Sequence, residues 1–316
     1  MKLRLLIGTI ALAMTCMPLL AESGHRGRSV SVTNRGDEPI DRCDQIHVTF
    51  DDVEAARSEE EIAVAGSRDP LRVSVSENSG LWVQASDRRD SSIRACKAAS
   101  SPEYLNRISL SFENGQFAAR GPDEREWMVY LLVSVPRDAA LDLEASNGPL
   151  SVRGSAGSVV VRTSNGPLSI SESSGTVRAL AKNGPISLKA CSGDVQAEAV
   201  NGPISVSRSR GDLRLETQNG PISVELSGRR WEGAGLVARA VNGPLSLKIP
   251  EDYQSGTVIE MSGRSPVSCR ARACGQARRN WDEDSRRIEF GGAAPIVRLS
   301  TVNGPVSIKE VSERGD

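Results

Sequence analysis

Aromatic residues are scarce in this chain: Phe, Trp and Tyr together supply 3% of its 316 residues. Large rings fill the wide space between the layers of an ordinary enzyme core. Their scarcity argues for a thin core filled by Val, Ile, Leu and Ala. Lysine is scarce too, at 6 of the 39 basic residues, and with a formal net charge of -1 no global field points to nucleic acid. Histidine occurs only as His25 and His47. A Ser-His-Asp set would have to use one of them. G-x-S-x-G, H-E-x-x-H and phosphate-binding glycine loops are all missing. The sequence therefore points to no catalytic residue, no cofactor and no metal. The nearest approach to a ligand set is Asp41, Cys43, Asp44 and His47 in DRCDQIH, which reads as the polar start of a strand. At 38% hydrophobic and 25% charged, the chain is still too apolar for plain disorder.

Long apolar runs are confined to the beginning. Lys2 and Arg4 precede an apolar stretch from Leu5 to Leu20, and Ala21 offers a cleavage point before Glu22, so residues 1–21 read as an export signal. No later run approaches the roughly 20 residues of a spanning helix, and no transmembrane segment is expected once the signal is removed. Residues 22–44 read as a flexible segment and 313–316 as a tail. Export permits disulfides. Beyond the signal lie Cys43, Cys96, Cys191, Cys269 and Cys274. Cys191 falls where neighbouring repeats carry Ser173 and Ser209, which marks it as the free thiol. Cys43 with Cys96 and Cys269 with Cys274 are then the natural pairs.

What the chain does have is a repeat. The triplet Asn-Gly-Pro begins at Asn147, Asn165, Asn183, Asn201, Asn219, Asn242 and Asn303, with glycines at Gly148, Gly166, Gly184, Gly202, Gly220, Gly243 and Gly304. The first five copies are spaced by 18; gaps of 23 and 61 follow and read as a small and a large insertion. A second glycine, Gly157, Gly175, Gly193 or Gly211, follows ten residues after its Asn. Fixed periodicity of this kind signals a repeat architecture, with two turns and two short strands per unit. The regular repeats occupy 147–247, the large insertion 250–296, and the whole β-strand-repeat region 45–312.

The strands alternate apolar and polar residues: Leu150-Ser151-Val152, Leu168-Ser169-Ile170, and Val195, Ala197 and Ala199 against Gln196 and Glu198. An antiparallel meander with an Asn-Gly hairpin at each copy is one arrangement. The following proline argues against it, because the residue after Gly must donate an N–H to close that hairpin and proline has none. The preferred reading is a single-domain, all-β solenoid of about 18 residues per coil. Each coil stacks on the last at about 4.8 Å, Asn above Asn as an amide ladder. At the Asn-Gly-Pro corner, Asn is expected to tolerate a left-handed backbone and Gly to supply freedom. Ser151, Ser169, Ser187, Ser205 and Ser223, continued by Ser246 and Ser307, would form a surface file of hydroxyls. Beyond the array, segments such as Leu71-Arg72-Val73-Ser74-Val75 and Met128 to Pro136 read as strands. Only Asp52 to Ile62 hints at a helix.

The run Val133-Ser134-Val135-Pro136-Arg137, then Leu141 to Asn147, then the recurring Asn-Gly-Pro-[Ile/Leu/Val]-Ser, closing with Val297 to Gly304, resembles the bacterial "putative adhesin" β-strand-repeat family, DUF4097. The resemblance covers roughly residues 45–310. It implies an exported or envelope-associated, solenoid-like domain and supplies no reaction and no catalytic residues.

The remaining candidates are weaker. Asp51-Asp52 and Asp282-Glu283-Asp284 are carboxylate clusters of the type that cleave glycans, and each reads as solvated loop charge. The arginine-rich stretch 264–287, with Trp281, reads as a solvated loop able to touch an anionic polymer. Arg-Gly-Asp occurs at Arg35, Arg210 and Arg314, and Gly211 is already explained by the repeat. The expected function is a non-enzymatic, structural or adhesin-like binding module of the bacterial envelope, periplasmic or at the cell surface. Its partner is an envelope polysaccharide or protein rather than nucleic acid. A glycan lyase or hydrolase on a β-helix and an envelope-stress sensor with a membrane partner are the alternatives.

Overall fold

A computed structural model of the chain describes residues 30–33, 40, 42–62, 70–75, 79–113, 116–122 and 126–311. Residues 1–21, expected to be an export signal, most of the segment 22–44, His25, the Arg-Gly-Asp triplets at Arg35 and Arg314, and residues 313–316 lie outside the described residues.

The architecture is a β-solenoid. Two long sheets, of 12 and 11 strands, carry alternate strands of each coil. Strand Leu150–Arg153 lies on Leu168–Ser171, that on Ile186–Lys189, and so on in parallel register. The opposite sheet stacks Leu141–Ala145, Val159–Thr163, Thr176–Ala181 and Ser192–Ala199 in the same way. Like sits above like: Leu168, Ile186, Ile204 and Ile222 form one file, and Val159, Val177, Val195 and Leu213 face them from the other sheet, all 2% exposed or less. Along the regular coils the core is therefore one aliphatic slot repeated, and the rings that join it, Phe117, Trp127, Trp231, Tyr253 and Phe290, all come from outside residues 147–225. The proline carbonyls join the ladder: the Leu168 N–H donates to Pro185 O, and the Ile186 N–H to Pro203 O, both at 2.9 Å. A missing N–H at the corner costs the stack nothing on that side.

Order in space departs from order in sequence at both ends. The strands Gly292–Asn303 and Val306–Glu310 slide between Gly235–Asn242 with Leu245–Ile249 on one side and Ser255–Ser262 with Val267–Cys269 on the other. The large insertion is thus the last coil, with Pro266 taking the corner position: its carbonyl accepts from the Val306 N–H at 2.9 Å. At the other end the coil Leu71–Val75 with Ser79–Ser86 lies between Leu141–Ala145 with Leu150–Arg153 and the strand Trp127–Pro136.

Each opening of the solenoid is closed, as terminal repeats must be. At the first end the 12-stranded sheet runs on through Trp127–Pro136, Ser92–Ala99 and Ala56–Ile62. The hairpin Ser109–Glu113 with Gln116–Arg120 and the helix Pro102–Asn106 cover its inner face, adding Phe117, Ala119 and Leu105 to the core. Residues 42–55 cover its outer face, where Ile46, Val48 and Phe50 meet Met128, Tyr130 and Leu132. Burial on both faces explains the uninterrupted apolar run Trp127 to Val133. At the far end the 11-stranded sheet runs on through Ser285–Phe290 and Arg278–Trp281, and Ala271 and Cys274 close the core.

Three expectations are corrected. Asp52 to Ile62 holds no helix: Val53–Glu54 and Ala56–Ile62 are strands, the latter paired with Ser92–Ala99, and tertiary pairing overrides the helix-forming glutamates. The arginine-rich stretch 264–287 is no solvated loop, since it contributes a rung of the solenoid, a 3-10 turn and an edge strand. The left-handed residues do not sit at the Asn-Gly-Pro corner. They form a file at the opposite corner, Gly154, Glu172, Ala190 and Arg208, with φ between 51 and 77.

Candidate functional site

The seven asparagines stand in single file. Asn165 Nδ2 donates to Asn147 Oδ1 at 2.7 Å, and Asn183 to Asn165, Asn201 to Asn183 and Asn219 to Asn201 at 2.9 Å each. The file crosses both insertions: Asn242 donates to Asn219 at 3.0 Å and Asn303 to Asn242 at 2.9 Å. Every amide points the same way along the rod. The glycines behind them are needed for close approach. A Cβ on Gly166, Gly184, Gly202, Gly220, Gly243 or Gly304 would collide with the carbonyl of the glycine one coil away. Gly175, Gly193 and Gly211 meet the same limit at the second turn.

Beside the asparagines run two more files on the outer face of the 12-stranded sheet. Pro167, Pro185, Pro203, Pro221, Pro244 and Pro305 are exposed. Ser151, Ser169, Ser187, Ser205, Ser223, Ser246, Ser307 and Ser268 follow in register. Ser187 and Ser205, at the middle of the file, are exposed, while Ser151 is buried. Trp82 is the next residue in register beyond Ser151 and ends the file. The result is a flat strip of small side chains, repeated at the strand spacing of about 4.8 Å, and beside it on the same face runs a longer, charged file, Arg153, Ser171, Lys189, Ser207, Glu225 and Lys248, with Lys248 on Glu225 at 3.0 Å. The outer face of the other sheet is rough and charged, with Arg162 on Asp142 at 2.6 Å and Arg214 on Asp212 at 2.9 Å.

The other candidates are dispersed. Asp51 and Asp52 make the tight turn between His47–Phe50 and Val53–Glu54, with φ of 50 and 64. Asp282 to Asp284 make the turn between Arg278–Trp281 and Ser285–Phe290, at the other end of the solenoid. Among the described residues no three His, Cys, Asp or Glu side chains are placed to hold a metal. Cys43 is bonded to Cys96 and Cys269 to Cys274, while Cys191 is free and buried. Burial pushes the Cys191 thiol up to about 11 and the Tyr130 phenol up to about 12.

A feature not read from the sequence is a cavity of about 310 Å³ outside the solenoid, walled by Ile46, Val48, Ala98, Met128 and Tyr130, with Arg57 and Glu59 at its margin. Its walls come from segments far apart in sequence, and only the doubly apolar run at 127–133 hinted that a second layer covers the sheet. A wider, polar hollow of about 740 Å³ lies at the far end beside Arg230, Gln254 and Phe290.

Fold and surface together define a capped, two-sheet parallel β-solenoid with a regular Asn-Pro-Ser strip along one face. No family model and no curated protein matches the sequence. Among solved structures the chain is similar to a putative lipid binding protein from Parabacteroides distasonis, at 10% identity and a TM-score of 0.43, over 81% of this chain and 97% of that one. It is also similar to a putative adhesin from Bacteroides fragilis, at 10% identity and a TM-score of 0.36 over the same shares. A putative cell adhesion protein from Clostridium sporogenes matches at 8% identity and a TM-score of 0.23, over 81% of this chain and all of that one. With TM-scores below 0.5 the fold rests on this chain's own strand register. No described helix is long and apolar enough to cross a membrane.

Proposed function

We propose that this chain is an exported, non-enzymatic binding module of the bacterial envelope, and that the Asn-Pro-Ser strip on the outer face of the 12-stranded sheet lies against an extended polysaccharide. The observation that carries the reading is the unbroken register of the Asn, Pro and Ser files across seven coils, insertions included. A strip kept this regular while the file beside it and the opposite face vary suits a ligand that is itself periodic. Hydroxyls and amides at one spacing offer donors and acceptors in rows, and the side chains of Arg153, Lys189 and Lys248 line one margin of the strip. The signal-like residues 1–21 and the two disulfides favour an oxidising compartment, periplasm or cell surface.

The test is binding of the purified protein to a panel of envelope polysaccharides. Tyrosine at two mid-file positions, Ser187→Tyr with Ser205→Tyr, should abolish binding while circular dichroism stays unchanged. Binding that survives both substitutions would remove the Asn-Pro-Ser strip from the account, and turnover of a bound polymer would end the non-enzymatic reading.

A further inference from the structure

The two ends of the solenoid carry unlike edge strands. Ala56–Ile62 is the last strand of the 12-stranded sheet and pairs only with Ser92–Ala99. Residues 57–61 are exposed, and three of them are Glu59, Glu60 and Glu61. Arg278–Trp281 is the last strand of the 11-stranded sheet and pairs only with Ser285–Phe290. All four of its residues, Arg278, Arg279, Asn280 and Trp281, are exposed. Among the described residues each edge leaves a row of backbone N–H and C=O groups without a strand partner.

We infer that the basic edge of one copy pairs antiparallel with the acidic edge of another, joining copies head to tail. One register sets all four residue pairs to advantage. With Glu60 opposite Arg278 and Glu59 opposite Arg279, two acid–base pairs form across the joint. Ser58 then faces Asn280, and Arg57 faces Trp281. The alternation agrees: Arg57 and Glu59 share the face of Ala98 and Cys96, and Arg279 and Trp281 share one face of their own strand. That face of the acidic edge is where the 310 Å³ cavity lies, with Arg57 and Glu59 in its margin. Trp281 therefore arrives beside an apolar hollow and over a guanidinium. It already stacks with one, the Arg286 guanidinium 5.0 Å from its ring centre, and it remains 45% exposed.

Glu60 already holds Lys97 at 2.9 Å and would share itself with Arg278, whereas the other charges of these acid–base pairs are free to act. Among the described residues Glu59 has no cationic partner, and neither Arg278 nor Arg279 meets a carboxylate; Arg279 donates only to the Cys274 carbonyl at 3.1 Å. Charge of one sign on an edge guards it against its own kind. Opposite signs on the two ends lift that guard for one combination alone, so the contact is heterologous and builds an open row of copies. Four residue pairs make a small contact, weak in dilute solution and sensitive to salt. The inference does not rest on polysaccharide binding, because the edges lie at the ends of the rod, away from the middle of the Asn-Pro-Ser strip.

Sedimentation of the purified full-length protein tests it. The average mass should rise with concentration at low salt and fall back when salt is added. Glu59→Arg and Arg279→Glu should each weaken association by roughly ten-fold or more. Mixing these two variants should restore it, since each then supplies the charge that the other lacks. Mixed Ser58→Cys and Asn280→Cys copies should form a disulfide-linked pair that neither forms alone. A protein that stays monomeric throughout, variants that associate like the wild type, or a mixture that fails to recover overturns the inference.

Discussion

Asn303 donates its side-chain amide to Asn242 at 2.9 Å across 61 residues of sequence, the same distance that joins Asn183 to Asn165 across 18. The ladder is therefore set by the coil and is indifferent to what the chain does between coils. An interior asparagine makes two such bonds and Asn303 makes one. Asn201→Ala should destabilise the fold by about 1–2 kcal/mol and Asn303→Ala by about half as much. Urea midpoints of the two variants, read at unchanged slope, check the ratio. Equal losses would mean that the ladder does not act bond by bond.

The glycine beside each asparagine should matter more than the asparagine. In Gly202→Ala the new methyl meets the Gly184 carbonyl, and backbone cannot swing aside as a side chain can. The loss should exceed about 3 kcal/mol or prevent folding. Gly275→Ala supplies the control, because nothing lies within 4 Å of a Cβ there. Expression and thermal unfolding of the pair separate a close-approach requirement from a general effect of removing glycine.

That requirement shows what the sequence could and could not reveal. The period of 18, the alternating strands and the file of asparagines are all local patterns, and they were readable. The reason for glycine was not. Permissive backbone and close approach both favour Gly, and only the neighbouring coil at Gly184 or Gly220 distinguishes them. The left-handed file at Glu172, Ala190 and Arg208 left no trace because three of its four members are not glycine. The order of the coils was hidden as well. The strand patterns at 255–269 and 292–310 are each visible, but nothing local says that the later pair enters between the earlier pair and the array. The helix at Pro102–Asn106 did have its signal, Ser101 as cap followed by Pro102 and Glu103, in a stretch too short for periodicity.

Ala190 occupies a left-handed conformation, φ 54, that an L side chain enters at a cost of roughly 1–2 kcal/mol. Gly154 holds the corresponding corner without that cost. Ala190→Gly should stabilise the protein by about 1 kcal/mol, after the extra freedom of glycine in the unfolded chain is set against the relieved strain. Chemical denaturation measures it directly. A loss of stability would show that the methyl packs usefully in the corner and outweighs the backbone.

Cys191 stands in a buried file with Ser155, Ser173 and Ser209, and its backbone N–H donates to Ser209 Oγ at 3.1 Å. Burial raises its thiol from 9.0 to about 11, so the folded chain holds that proton more tightly than the unfolded chain does. The stabilisation is fully present below about pH 9 and is lost as the pH climbs toward about 11. Between about pH 8 and 10.5 this should remove on the order of 2 kcal/mol. Cys191→Ser should abolish that step, because a serine there does not ionise and its hydroxyl can donate to the Lys189 carbonyl as Ser173 does to Ser171. Tyr130, raised from 10.0 to about 12, lowers stability in the same direction but begins later, and it remains in both proteins. The difference between wild type and Cys191→Ser in denaturation at about pH 8 and 10.5 therefore isolates the thiol. Parallel curves would mean that the thiolate reaches water without unfolding the coil, which would contradict its burial.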